Sequence, residues 1–373
     1  MRHSTTISEV VREAKRAPKV ERYATFFQEF RGTRLAFMAC EPQIDVGILH
    51  ADMLSGLAEI GALGVAEGVG ACMHLYMLFA LATIPLPDAH LDERRKRLLL
   101  QIAERRLLVA NTGSDAVRRS DNSEQTSTAL VDLKDGTYSA SGAKTFLSLA
   151  TVADLVLFTA GPPDARLCFC LAPLRDSGVV IGSSEFDSSL NMNTHGLEFK
   201  DVIIPEEMVF APSGNEGGAL FHGYQRAVFQ ATISAVYLGA AFEALKEAGS
   251  FAQSARIDTV DGVRAELGSL VMKHDGALAI SRACREPLYT FTAQPTPATL
   301  AALTDTAMVA KHFGCQVAAA IVTSVQRFIG TRSMRPEHPL VEMSRMVAFG
   351  PLHPVVAAQA VRHFAQRVCP KAD

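Results

Sequence analysis

The chain has 373 residues, 48% of them hydrophobic and 20% charged, with a formal net charge of −3. That length and apolar content suit two or three packed subdomains better than one. The near-neutral balance speaks against nucleic acid or an anionic membrane surface as a partner, and the modest charged fraction suits a helical homodimer or homotetramer.

Residues 1–107 read as a helical domain. The opening MRHSTTISEVVREAKR has no apolar core of the kind a secretory signal carries, so none is expected. Farther on, ILHADMLSGLAEIGALGVAEGVGACMHLYMLFALATI and DERRKRLLLQIAERRLLV place apolar residues at helical spacing, with Pro85 and Pro87 between them. The most apolar run, Ala71 to Leu86, contains His74 and reads as a buried core helix. No charge-free run reaches the ~18 residues of a membrane span, so none is expected.

Residues 108–212 read as a β domain. TSTALVDL, TYSASGAKTFLSL, DLVLFTA, RLCFCLAP, GVVIGS, HGLEFKDVIIP and EMVFAP are short and rich in β-branched and aromatic residues. Turn chemistry such as KDG at 134–136 and RDSG at 175–178 separates them, and the regular spacing suits a small barrel or sandwich. Cys168 and Cys170 stand two apart, so on a strand they share a face and pack in the core.

Residues 213–373 return to helix. AVFQATISAVYLGAAFEALKEAGSFAQ, VRAELGSLVMKHDGALAISRAC, PATLAALTDTAMVAKHFGCQVAAAIVTSVQRFIG and a segment near 355–368 give four helices, enough for a bundle. REPLYTFTAQPTPATL, rich in Pro and Thr, reads as a surface connection. The fold class is therefore α+β, in the order helical, β, helical.

Seven cysteines form no C-x-x-C pair, which argues against a disulfide scaffold or zinc and for a reduced, cytoplasmic setting. The glycines of GALGVAEGVGA lie in a helical pattern with no strand before them, so they are no dinucleotide loop. There is no G-x-x-x-x-G-K-[ST], H-E-x-x-H or G-x-S-x-G. None of the eleven histidines has a carboxylate partner at ligand spacing, and no metal site is expected.

Three stretches of the middle zone do carry a pattern. TGSDAVRRSD at 112–121 resembles the T-E-P-x-x-G-S-D loop of the acyl-CoA dehydrogenase family, shortened and without Glu-Pro. DGTYSASGAKTFLSLATVADLVLFTA at 135–160 is similar to the family's D-G-x-Y-x-[LI]-x-G-x-K-x-[WF]-[IVL]-[ST] and the A-D beyond it. HGLEFKDVIIPEEMVF at 195–210 resembles its V-x-F-x-D-V-x-V-P. The resemblance implies a fold with an N-terminal helical domain, a β-barrel-like middle domain and a C-terminal four-helix bundle. It also implies FAD, or reduced FMN or FAD supplied by a reductase. A flavin ring needs an apolar face on one side and hydrogen-bonding groups at its edge. The family's positions for these fall on Phe146 and Ser148, and those for the diphosphate or substrate phosphates on Thr112 and Ser114. The family's arginine from a neighbouring subunit, in R-x-Q-F-G, would be Arg256 of QSARIDT, here without Q-F-G.

Removing the α-proton of an acyl thioester takes a base, in that family a Glu at one of two places. The matching positions hold Pro354 in one register, and Phe229 and Gln230 in the other. A second branch, of flavin-dependent monooxygenases, has instead a His eight residues after a conserved Arg. Here that spacing from Arg345 gives His353. A histidine can deprotonate a substrate hydroxyl near neutral pH. His74 falls near another pocket position of that branch. The resemblance thus implies one of three things. The first is an FAD-dependent oxidoreductase acting on an acyl thioester or related small metabolite. The second is a two-component monooxygenase with His353 as acid/base. The third is a non-catalytic subunit that keeps the fold.

Overall fold

The structure, a computed structural model, describes residues 5–42, 44–86, 89–115, 126–161, 168–186, 190, 192–210 and 214–369. Pro87 and residues 116–121 of the TGSDAVRRSD stretch lie outside them. The helices α1 (Ile7–Ala14), α2 (Lys19–Phe30), α3 (Arg34–Phe37), α4 (Val46–Leu63), α5 (Val65–Thr83) and α6 (Ala89–Arg105) come first. Strands follow: β1 (Val109–Thr112), β2 (Ser114–Asp115), β3 (Ala129–Asp132), β4 (Thr137–Ser148), β5 (Leu155–Ala160), β6 (Cys168–Pro173), β7 (Val179–Ser184), β8 (Thr194–Pro205) and β9 (Val209–Phe210). The chain ends in α7 (Gly214–Ser254), α8 (Asp261–Arg282), α9 (Arg285–Ala293), α10 (Pro297–Ile329), α11 (Pro339–Val347) and α12 (Ala357–Ala365). By packing these form two compact units. One is Met1–Asp45, Val69–Gln225 and Pro295–Pro297; the other is Val46–Gly68, Arg226–Gln294 and Ala298–Asp373.

In the first unit the strands make two sheets. One has the order β1-β5-β6-β9, and the other β2-β4-β8-β7 with β3 on β4. In the first sheet β1 and β5 pair in parallel, and β5 with β6 and β6 with β9 antiparallel. Phe158 of β5 stacks on Phe199 of β8 with ring centres 4.0 Å apart, so the two sheets share one aromatic core. Cys168 and Cys170 are buried on β6 as their alternation predicts. Lys144 of β4 is buried too; its ammonium donates to the hydroxyls of Thr126 and Thr159 at 2.8 and 2.9 Å, which removes part of the cost of burying a charge.

Tyr23, Phe26, Phe27 and Phe30 recur at helical spacing along α2 and are all buried. Arg31, just past α2, pairs with Asp154 and donates to the Val152 carbonyl at 2.6 Å, while Asp154 also accepts from the Leu108 amide at 2.8 Å. The Asp that closes the family-like pattern therefore fastens the start of β1 to the turn before β5.

In the second unit α4 and α7 meet backbone to backbone. A Cβ on Gly61 would lie 2.0 Å from the Val236 carbonyl oxygen, and one on Gly239 would lie 1.9 Å from that of Ala58. Only glycine at both crossings permits that approach. The segment expected as a surface connection contains α9, with Leu288 and Phe291 buried. Its Thr and Pro content suggested a loop, and the burial of those two apolar residues overrides it. α11 was likewise not expected from the sequence.

By length and composition, α4, α5 and the stretches Leu220–Ser254 and Pro297–Met334 could cross a membrane, against the expectation of no such segment. Windows that tolerate a charge or two qualify where charge-free runs do not. In α5 and Leu220–Ser254, 89% of the apolar window is buried inside the protein, and a helix enclosed by others is apolar all round for that reason.

Candidate functional site

The first group of candidates gathers on β4. The ladder to β8 pairs Lys144 with Leu197 and Leu147 with His195, so two residues of β4 face one of β8 between them. That is a β-bulge, and it re-aims a side chain. Phe146 sits in it with φ 57°, a left-handed backbone that a bulky residue adopts only when its surroundings enforce it. Lys144 and Leu147 on either side are buried, whereas Phe146 is 52% exposed. Its ring lies 6.0 Å from that of Phe186, nearly parallel at 30°. The bulge thus presents an aromatic face outward from a strand otherwise committed to the core.

Ser148 stands at the end of the same strand, opposite Thr194 of β8. Both are buried, and their hydroxyl oxygens are 3.1 Å apart, either able to donate. Thr112 on β1 is buried as well; its hydroxyl donates to the Thr145 carbonyl at 2.8 Å, so it braces the bulge. Ser114 belongs to β2, opposite Thr145, and its side chain lies outside what is described. Phe146, Ser148 and Thr112, expected from the sequence to meet the cofactor, lie around the β4 bulge, and Thr194, absent from that expectation, stands with them. The signal for Thr194 was its place just before the HGLEFKDV stretch.

His74 occupies a different environment. It is fully buried on α5, with Nδ1 accepting from the Val109 amide at 3.0 Å and Nε2 2.9 Å from the Ala36 carbonyl. That pattern fixes the neutral tautomer protonated at Nε2. Burial pushes its pKa down to about 4. Both nitrogens are committed to backbone, so His74 fastens α5 to β1 and has none left for a substrate.

The backbone of Arg256 ends a helix. The residue is exposed just past α7 with φ 57°. The Ile257 amide donates to the Ala252 carbonyl at 2.9 Å and the Arg256 amide to that of Gln253 at 3.0 Å, which together make a Schellman termination. Its backbone stops the helix, and glycine is the usual residue there.

The second unit holds His353, on the segment after α11. Its Nε2 is 2.6 Å from the hydroxyl of Tyr237, which is buried in α7. The Phe229 ring meets the imidazole edge-on at 5.7 Å. Lys311 of α10, buried, donates to the His353 carbonyl and, at 2.6 Å, to that of Val355. Gly350 lets the segment approach α10: a Cβ there would lie 2.9 Å from Cys315 Sγ. Burial and then the Lys311 charge push the His353 pKa down to about 3. Burial lowers that of Lys311 to about 8. Among the described residues neither His353 nor Lys311 makes an ion pair with a carboxylate.

The two places where the family-like registers put a base converge here. Phe229 touches His353, and Pro354 follows it in the chain. Tyr237 and Lys311 went unnoticed in the sequence. For Lys311 the signal was a cation among the buried positions of α10, between Ala307 and Gly314.

No family model matches the chain, and no curated protein matches it. Solved structures do. FMN-bound TdsC from Paenibacillus sp. A11-2, a dibenzothiophene monooxygenase, superposes with a TM-score of 0.80 at 18% identity, over 97% of this chain and 96% of that one. The nitrososynthase from Micromonospora carbonacea var. africana gives 0.77 at 18% identity, over 98% and 94%. Butyryl-CoA dehydrogenase from Megasphaera elsdenii gives 0.78 at 15% identity, over 97% of both chains. The chain therefore has the acyl-CoA dehydrogenase fold, N-terminal helical, middle β and C-terminal helical, which is also the fold of monooxygenases.

Proposed function

We propose that the chain is a flavin-dependent monooxygenase that takes up reduced FMN or FAD and acts on a small molecule bearing an ionisable hydroxyl. The observation that carries this reading is the Tyr237–His353 pair at the place where both dehydrogenase registers put a carboxylate. An acyl-thioester dehydrogenase needs a base there, and Phe229 and Pro354 supply none.

The β4 bulge fits the cofactor by the chemistry of its groups. Phe146 offers an exposed aromatic face, and the Ser148–Thr194 hydroxyl pair, in which one donates to the other, leaves one O–H to donate beside it. Phe146 and Ser148 would hold the ring, and Thr112 would keep the bulge in shape through the Thr145 carbonyl. When bound, the flavin supplies the electrons that activate oxygen.

The protein's part is then to orient the substrate hydroxyl. His353 is neutral across the whole neutral range because burial disfavours its imidazolium. In the tautomer whose Nε2–H donates to the Tyr237 oxygen, Nδ1 is an acceptor with no protein partner among the described residues; the proposed role requires this tautomer. A substrate hydroxyl donating to Nδ1 gains nucleophilic character. Since the charged ring is costly here, His353 accepts the hydrogen bond of the substrate hydroxyl and orients it without taking its proton. Lys311 fixes the backbone that carries the imidazole.

Two assays test the reading. Oxygen uptake with reduced FMN or FAD, stimulated by members of a panel of phenols, supports it. Bleaching of flavin-loaded protein by an acyl-CoA under anaerobic conditions would replace it with dehydrogenation.

A further inference from the structure

Within the second unit, a cavity of about 360 Å³ opens between α4 and α8. That is ample for a small ligand, since such sites start near ~300 Å³. Leu54 and Leu278 supply apolar wall, and His50, Ser55, Arg282 and Arg285 supply polar groups. None of these residues belongs to the sites described above.

Three features point to a ligand. First, His50 is 1% exposed, yet its Nε2 has no hydrogen-bond partner. Its backbone bond to Ala231 therefore uses Nδ1 as donor, which leaves Nε2 as a bare acceptor. A buried acceptor without a donor is costly, and native proteins keep few of them. Second, Arg282 ends α8 and Arg285 begins α9, and neither forms an ion pair among the described residues. A cation at a helix C-terminus is favourable in itself, which accounts for Arg282 but not for Arg285 or the orphaned imidazole. Third, Arg285 is held in place. Its guanidinium lies over the Tyr289 ring at 5.7 Å, and a Cβ on Gly47 would come within 2.4 Å of its Nε.

We propose that this cavity binds a small organic acid. The carboxylate would lie on Arg282 and Arg285, the apolar body against Leu54 and Leu278, and a hydroxyl would donate to His50 Nε2. Arginine pairs suit carboxylates because the planar fork matches both oxygens. The site is separate from the groups assigned to the flavin and the substrate hydroxyl, so it stands or falls independently of that reading.

Calorimetric titration with para-hydroxybenzoate, benzoate and benzyl alcohol tests it. The first is expected to saturate the protein. Benzoate, which lacks the donor, is expected to bind about tenfold more weakly, and benzyl alcohol not to saturate. The R282Q/R285Q double variant, altered only at exposed positions, is expected to weaken both acids by about tenfold or more with reduced-flavin binding unchanged. His50→Phe should abolish the difference between the two acids. Absence of saturable binding by either acid at millimolar concentration would overturn the proposal. So would equal affinity in the double variant.

Discussion

The Tyr237 hydroxyl and His353 Nε2 lie 2.6 Å apart, joining α7 to the segment that follows α11. The contact orients an imidazole that would otherwise rotate, and it leaves one nitrogen to face a substrate. Tyr237→Phe keeps the ring and removes that hydroxyl. Turnover is expected to fall by about tenfold or more, and His353→Ala to cost about a hundredfold or more. Reduced-flavin affinity should stay at the wild-type level in both. Steady-state oxygen uptake beside equilibrium flavin binding checks this, and an unchanged turnover in Tyr237→Phe would remove the hydroxyl from the account.

Phe146 gives a prediction in which stability and binding part company. Its left-handed backbone is strained for any residue with a Cβ and costs about 1–3 kcal/mol. Phe146→Gly relieves that strain and loses little packing, because the ring is half exposed. Thermal unfolding should show the variant as stable as the parent or more so, while flavin affinity drops. A variant that unfolds earlier with flavin binding intact would show the ring to be ordinary packing.

Three histidines set an acid limit. Burial lowers the pKa of His50 and His74 to about 4 and that of His353 to about 3, from 6.5. Above that ordinary value both folded and unfolded forms are neutral. Below it the unfolded chain takes up protons that the folded chain refuses, so stability falls as pH drops through this interval. Each histidine contributes up to ~1.4 kcal/mol per pH unit. His74→Gln can still accept from Val109 and donate to Ala36, and it does not titrate. Urea unfolding between about pH 7 and about pH 5 should show a shallower loss in this variant than in the parent.

The α4–α7 crossing is expected to tolerate no side chain. Gly239→Ala sets a methyl against the Ala58 backbone and should destabilise by ~3 kcal/mol or more, as overpacking against backbone does. Chemical denaturation measures it. Gly249→Ala in the same helix, with open space around its Cβ, should be neutral or slightly stabilising by comparison.

Legibility in the sequence followed local pattern. Alternating apolar strands and turn chemistry gave β3 to β9, and helical spacing gave α4 to α6, α7, α8 and α10. The segment that became α9 carries Pro and Thr and the one that became α11 begins at Pro339, and their helicity depends on partners far along the chain that a sequence window does not contain. The same divide runs through the site. Phe146 and Ser148 lie on one strand within a motif, so the motif found them. Tyr237, Lys311 and Thr194 meet their partners across long stretches of chain, and the local signals, Thr194's place before HGLEFKDV and Lys311's place on an apolar helix, name no partner. A buried histidine satisfied by backbone, as His74 is, looks in sequence like one that faces a pocket. The turn geometry of Arg256 is invisible until the helix end is seen.

The proposed function requires a flavin ring against Phe146 with the Ser148 hydroxyl at its edge. Anaerobic equilibrium binding of reduced FMN and reduced FAD to the parent, Phe146→Gly and Ser148→Ala tests it most directly. At least one flavin is expected to bind the parent, and both variants to bind it about tenfold more weakly. Failure of the parent to bind either flavin, reduced or oxidised, would contradict the claim and leave a protein that keeps the fold without its chemistry.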